Sequence, residues 1–240
     1  MNESLLIGVN SGLLLVNSKG IKQISIGYAA MVYGITYISD ALFVFLRGIK
    51  VPEMLVFNNN LDIVQRYKYK NFSDLHQAQV FNNHIWVAIS GKNCYALIDL
   101  RTRRIKQFFY PIPDAKGSDI NHFNSIFFDG NYRYCVAHNK ASKLKIKSEL
   151  FVFQKDTKLF SVDCGVDSHN IMPYKNSILI LDSKGHTIQK IENRKSSVFY
   201  TFARKDLFYR GWLLMAPICI LEVVARLHQR QIENTPLLCY

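Results

Sequence analysis

Three observations predict an all-β chain folded as a single β-propeller: a repeat of about 45 residues, turns of Asn, Asp or Gly at the same place in each repeat, and short apolar strands between them. Each repeat carries an apolar segment, a turn, an alternating apolar strand, a second turn and two further strands. The clearest copies are VFNNHIWVAIS (Val80–Ser90), FFDGNYRYCVAHN (Phe127–Asn139) and PYKNSILILDS (Pro173–Ser183), and YISDALFVFLRG (Tyr37–Gly48) fits the same template. Superposing Ile38, Phe81, Phe128 and Tyr174, each just before its turn, gives spacings of 43, 47 and 46 residues. That is the length of one four-stranded blade, so 240 residues hold about five to six blades.

The first repeat element is the least regular. LLIGVN, LLLVN and IKQIS read as three strands with no inner strand before them. The unit around Val80 is the most regular, with strands expected at Gln77–Phe81, His84–Ser90, Cys94–Leu100 and Arg104–Phe109, rich in Ile, Val, Phe and Tyr. At the carboxyl end RGWLLM, ICILEVV and PLLCY follow, so the two ends are expected to complete one blade together and close the ring, which removes exposed sheet edges. The last blade, 208–240, is atypical because Trp212–Ala225 lacks the turn of the other units. Leu213, Ala216, Ile220, Val223, Val224 and Leu227 recur there at helical spacing, which leaves a helix as the competing reading.

Composition fits one domain, 1–240. Hydrophobic residues make up 49% and aromatics 13%, enough for a large core and too much for a disordered chain. The amino terminus lacks the basic start and cleavage site of a signal peptide. Cys94, Cys135, Cys164, Cys219 and Cys239 form no CxxC pair, which argues against a disulfide framework or a zinc knuckle and points to a reducing cytoplasm. Trp212–Ala225 is about 14 residues where a membrane span needs about 20. It contains Pro217 and Glu222, so no membrane span is expected. The net charge of +12, from 30 basic and 18 acidic residues, favours acidic partners, nucleic acid among them, whose binding would weaken steeply with salt. The densest basic runs, Arg101–Lys106 and Lys140–Lys147, fall in expected turns, where solvated loop charge is the simpler account.

The fold also says where a site belongs. The first strand of each blade lines the central channel, and its start lies beside the end of the second strand. The repeat alignment puts Gln77, Asn124 and Asn170 at the inner-strand starts, preceded by His76 and His169, with His122 close by. Arg47, Ser90, His138 and Asp182 fall at the ends of second strands, and Arg210 and Gly211 repeat the Arg47–Gly48 pair. The candidate ligand-binding residues are therefore Arg47, His76, Gln77, His122, Asn124, His138, His169, Asn170, Asp182 and Arg210. Amides, imidazoles, an acid and arginines at one channel mouth suit a polar small molecule, a glycan or a protein partner. The bland alternative is that Asn, Asp and His at strand ends bond the backbone of adjacent turns. For metal binding, Asn124, Asn170 and Asp182 offer oxygen ligands of the kind calcium or magnesium prefers, while Asp119 and Asp167 are further nearby carboxylates. No nucleophile elbow, phosphate loop, HExxH motif or paired Cys nucleophile is present, so no catalytic residue is assigned.

The repeats at Val80–Ser90, Phe127–Asn139 and Pro173–Ser183, with Asn124 and Asn170 opening inner strands, resemble six-bladed propellers of the NHL-repeat and gluconolactonase (senescence marker) type. In the lactonases, channel Glu, Asn and Asp residues hold a divalent ion that polarises a lactone carbonyl. The resemblance thus implies a metal on Asn124, Asn170 and Asp182, although the family's amino-terminal metal-binding Glu has no counterpart here. NHFN (Asn121–Asn124), SELFVF (Ser148–Phe153) and SHN (Ser168–Asn170) are similar to uncharacterised bacterial propellers, a likeness that implies no activity. Two expectations result: a non-enzymatic binding module, or a metal-dependent hydrolase of a sugar lactone or similar ester.

Overall fold

The computed structural model describes residues 4–9, 12–38, 40–139, 147–203, 212–215 and 218–221. Among them, strands form five antiparallel blades, and there is almost no helix. The first blade holds β1 (Ser4–Val9), β2 (Gly12–Asn17) and β3 (Gly20–Ser25); the second holds β4 (Met31–Ile38), β5 (Ala41–Arg47), β6 (Glu53–Phe57) and β7 (Ile63–Lys68). The third holds β8 (Leu75–Phe81), β9 (His84–Ile89), β10 (Cys94–Asp99) and β11 (Ile105–Phe109). The fourth holds β12 (Phe123–Asp129), β13 (Tyr132–Ala137), β14 (Glu149–Gln154) and β15 (Thr157–Asp163), and the fifth β16 (Ser168–Tyr174), β17 (Ser177–Asp182), β18 (Thr187–Glu192) and β19 (Lys195–Thr201). Two further strands, β20 (Trp212–Met215) and β21 (Ile218–Leu221), pair with each other in a separate ladder.

Each blade is a meander because its turns demand it. Asn82 and Asn83 both adopt positive φ, 48° and 60°, the conformation of the two-residue turn whose twist matches paired strands, and asparagine tolerates it. The middle strands of the second, third and fourth blades are largely apolar on both faces because each of these blades is sandwiched between two others. Phe43 and Phe45 of β5 pack with Ile85, Val87 and Cys94 of the third blade. Leu42, Val44 and Leu46 of the same strand pack with Leu13 and Ile24 of the first. Trp86, Ala88 and Tyr95 meet Cys135, Phe151 and Phe153 between the third and fourth blades, and Val136, Leu150 and Val152 meet Ile171 and Ile180 between the fourth and fifth. The two-residue period of a strand thus assigns alternate side chains to alternate interfaces, each fully buried Leu, Val or Phe contributing about 1.5–3 kcal/mol. Outermost strands such as β7 and β19 are largely exposed, apolar residues such as Val64, Val198 and Phe199 included.

Two expectations change. Among the described residues the blades number five, the lower figure of the repeat estimate, where the NHL-repeat and lactonase type has six. The amino-terminal strands do include an inner one. β1 lies against β4 as β4 lies against β8, so closely that a side chain on Gly8 would meet Val32 at 2.6 Å. The described part of the first blade therefore lacks an outer strand, because the apolar run LLIGV is itself channel-side. At the other end, β20 and β21 are strands, which resolves the helix alternative for those eight residues. The proposed joining of the two chain ends falls largely on 222–240, and Arg210 on 204–211, both outside the described residues. Most of Lys140–Lys147 lies outside them too. In Arg101–Lys106, the Lys106 ammonium pairs with Asp99 at 3.2 Å, in keeping with loop charge. No helix of the described residues is long and apolar enough to cross a membrane.

Candidate functional site

The inner strands of the second to fifth blades share an irregularity that β1 lacks. Each carries a register shift near its start, at Tyr33 in β4, at His76–Gln77 in β8, at Asn124 in β12 and at Asn170 in β16. An extra residue of this kind kinks the strand and re-aims the side chains beside it. Asn170 takes a left-handed φ of 53°, which asparagine accommodates better than most residues.

These bulges fasten neighbouring blades. The Gln77 carbonyl oxygen accepts the Ile126 N–H at 3.1 Å, joining the third blade to the fourth. The Asn124 amide donates to the Ser168 carbonyl at 2.9 Å, joining the fourth to the fifth. In return the Asn170 N–H donates to Ser125 Oγ at 2.8 Å, and that hydroxyl donates to Asn124 Oδ1 at 2.7 Å. Tyr95 adds a bond from its hydroxyl to the Ser125 carbonyl.

Around the same level four imidazoles converge. His76 comes from β8, His122 from just before β12, His138 from just after β13 and His169 from β16. Successive ring centroids are 5.0 Å (His76–His122), 5.0 Å (His122–His138) and 4.5 Å (His138–His169) apart, and 6.5 Å from His169 back to His76 closes the circuit. Every one of the four is 5% exposed or less. Half of this circuit faces charge. Asp74, in left-handed conformation before β8, places Oδ1 3.4 Å from His76 Nε2 and Oδ2 3.6 Å from His122 Nδ1. Asp119 Oδ1 stands 2.8 Å from His122 Nδ1. Arg47 Nη1 reaches Asp74 Oδ1 at 2.5 Å and His76 Nε2 at 3.2 Å, while its guanidinium lies over the Tyr33 ring, 4.6 Å from the centroid. An arginine N–H only donates, so this contact is a hydrogen bond when Nε2 of His76 carries its lone pair.

The other half is held mainly by uncharged groups. His138 Nε2 lies 2.9 Å from the Ser168 carbonyl and also meets the Asn124 amide, and His169 Nδ1 lies 2.9 Å from Ser183 Oγ. Asp167 stands farther off, 3.7 Å from His138 Nδ1.

The structure thus gathers Arg47, His76, His122, His138 and His169 into one cluster, with Gln77, Asn124 and the Asn170 backbone fastening the blades around it. Asp182 serves a different end. Its Oδ1 accepts the N–H of Val166 and of Gly185, at 3.0 and 2.8 Å, and its Oδ2 faces Thr187 Oγ1 at 3.3 Å. A side chain at Gly165 or Gly185 would run into this carboxylate, so both glycines are needed for the turn to close on it. Asp74 was not among the residues the sequence singled out. A signal was there: Asp-x-His occurs at Asp74–His76 and again at Asp167–His169, two blades apart. Burial pushes the thiols of Cys94 and Cys135 up to about 11 and about 12, which disfavours the thiolate form at both.

No protein-family model and no curated protein matches the chain. Solved structures do. A protein of unknown function from Bacteroides caccae aligns with 90% of this chain and 80% of its own, at 9% identity and a TM-score of 0.59. A catalytically inactive virginiamycin B lyase from Staphylococcus aureus, in a structure with quinupristin, aligns with 85% of this chain and 67% of its own, at 13% identity and a TM-score of 0.61. BamB from Moraxella catarrhalis covers 89% of this chain and 77% of its own, at 11% identity and a TM-score of 0.50. At such identities the likeness establishes the propeller fold and leaves function to the site.

Proposed function

We propose that this propeller is a binding module whose channel mouth holds a small polar molecule bearing a carboxylate or phosphate. The observation that carries the reading is the convergence of four buried imidazoles from three blades beside a partly exposed arginine, Arg47. Arginine and imidazole N–H groups suit anionic oxygens, and the rigid blade bolts keep them in place without further ordering on binding. Glycans and protein partners remain the wider class to which such a mouth is open. The test is a thermal-shift screen of small carboxylates, phosphates and sugars in the presence of a chelator, repeated with Arg47→Ala. A ligand at about 100 times its dissociation constant adds roughly 2.7 kcal/mol. A saturable upward shift that Arg47→Ala removes is the expected result; no shift with any compound, or one that Arg47→Ala leaves intact, would overturn the reading.

A metal-dependent hydrolase of a lactone or similar ester is the second reading, favoured by a different feature of the same mouth. Asp74, His76 and His122 each bring one donor atom within 4.8 Å of the others. In this reading the donor set moves away from the oxygens of Asn124, Asn170 and Asp182, whose neighbourhoods hold the blades and turns together, toward nitrogen-rich chemistry. A bound ion would polarise a substrate carbonyl. Release of acid from a sugar lactone, dependent on added metal and lost in Asp74→Asn, would favour it over simple binding.

A further inference from the structure

The geometry points to a divalent transition-metal site at Asp74, His76 and His122, held shut by Arg47, which acts as a built-in competitor for the ion. The inference uses the same channel mouth as the binding reading but does not depend on what organic molecule enters it.

Two imidazoles and one carboxylate match zinc and its neighbours in the transition series and do not match calcium or magnesium, which prefer oxygen donors. Ligands on one zinc ion, each about 2.0–2.2 Å from it, lie roughly 3.4 Å from one another in a tetrahedron. His76 Nε2 and Asp74 Oδ1 are 3.4 Å apart, His122 Nδ1 faces the other oxygen, Oδ2, at 3.6 Å, and one donor atom from each of the three lies within 4.8 Å of the others, a span that an ion would tighten. The three residues come from two blades whose inner strands Gln77 bolts together, so the donors are placed by the scaffold and not by a flexible loop. Asp119 Oδ1 stands 2.8 Å from this same nitrogen, His122 Nδ1, so metal entry displaces that contact as it does those of Arg47. Three protein ligands leave a fourth position open toward the mouth, as at zinc sites that take water or substrate.

Arg47 is the counter-observation that gives the site its character. Its Nη1 lies at hydrogen-bond distance from both Asp74 and His76, so the guanidinium neutralises the carboxylate and occupies the imidazole lone pair that a metal would need. The side chain is 30% exposed and rests over Tyr33, so it can turn outward without breaking the core. Metal entry and the Arg47 contacts are therefore mutually exclusive. An anionic ligand that draws Arg47 outward would open the metal site, which links the two occupants of the mouth.

The experiment is a zinc titration by calorimetry, with cobalt(II) absorption as a second readout of the ligand set, on the tag-free chain and three variants. Arg47→Ala should bind zinc roughly tenfold more tightly, the factor expected from removing a charge-assisted competitor. Asp74→Asn should bind it about a hundredfold more weakly and lose the tetrahedral cobalt bands. His84→Ala, which alters a half-buried imidazole at the start of β9, outside the cluster, should match the parent. Circular dichroism of each variant checks that it is folded. Equal zinc affinity in Arg47→Ala and the parent, or undiminished affinity in Asp74→Asn, would overturn the inference. The binding reading is judged separately because Arg47→Ala moves the two measurements in opposite directions, weakening anion binding in chelator and strengthening zinc binding without it.

Discussion

The two halves of the histidine circuit use the same side chain for different ends. His138 and His169 bond mainly to the Ser168 carbonyl, the Asn124 amide and the Ser183 hydroxyl, partners that hold the fourth and fifth blades together, with one carboxylate, Asp167, 3.7 Å from His138. His76 and His122 face Asp74, Asp119 and Arg47, groups that carry charge and lie nearer the solvent. Buried neutral hydrogen bonds fix structure, whereas partly exposed charge can be exchanged for a ligand at small cost to the fold. The difference teaches that residue type at a strand end does not reveal a site; the accessibility and charge of its partner do.

The comparison breaks most readily at Asn124. Asn124→Leu removes the donor to the buried Ser168 carbonyl and the contact with His138, and it strands the Ser125 hydroxyl. With the Ser168 carbonyl left to His138 alone and the buried Ser125 O–H deprived of its acceptor, the loss of these bonds should cost about 3 kcal/mol in urea denaturation. A loss below about 1 kcal/mol would mean that the neutral half is no more structural than the charged one.

Asp182→Ala is next. It deprives the N–H groups of Val166 and Gly185 of their acceptor and should cost about 2 kcal/mol, yet leave zinc and anion binding at the mouth unchanged. A variant that lost binding but kept its stability would return Asp182 to the site.

How far the sequence could reveal this depends on the range of the interaction. Turn chemistry is local, so Asn82–Asn83 and Asp129–Gly130 announced the blade period directly, and the four histidines followed from aligning the repeats. The role of Asp182 was hidden because one of its donors, the Val166 N–H, comes from a loop 16 residues earlier in the chain. Asp74 was hidden because an acid in a turn reads as solvated charge until the Asp-x-His recurrence is placed beside Arg47 from another blade. The first blade was misread because the polar residues that mark other inner strands are absent from β1, where Gly8 instead lets β4 approach.

Both halves rest on similar cores, and alkaline titration can show it. Burial raises Cys94 in the third blade to about 11 and Cys135 in the fourth to about 12. An unfolded thiol ionises near 8.5. Between these values the unfolded chain has lost protons that the folded one keeps, so stability is full below pH about 8.5 and falls as pH rises toward the folded values. One unit above the unfolded value the loss should be roughly 1 kcal/mol for each thiol. Cys→Ser at either position should flatten the urea midpoint against pH by a similar amount. A decline carried by one thiol alone would place the difference between the halves in the core and not at the mouth.

The smallest effect belongs to Arg47. Its pair with Asp74 is short but the side chain is 30% exposed, and such pairs contribute about 1 kcal/mol or less. Arg47→Ala also gives up the stacking over Tyr33, worth about 0.5–1 kcal/mol at an exposed site, but it relieves no buried group of its only partner because Asp74 keeps both histidines as neighbours. Urea denaturation should therefore register a loss of about 1 kcal/mol, a third of that at Asn124, while ligand and zinc affinities shift several-fold in opposite senses. If instead the loss matched that of Asn124→Leu, the charged half would be a structural bolt like its neutral counterpart, and a mouth built to exchange partners would have to be sought elsewhere on the ring.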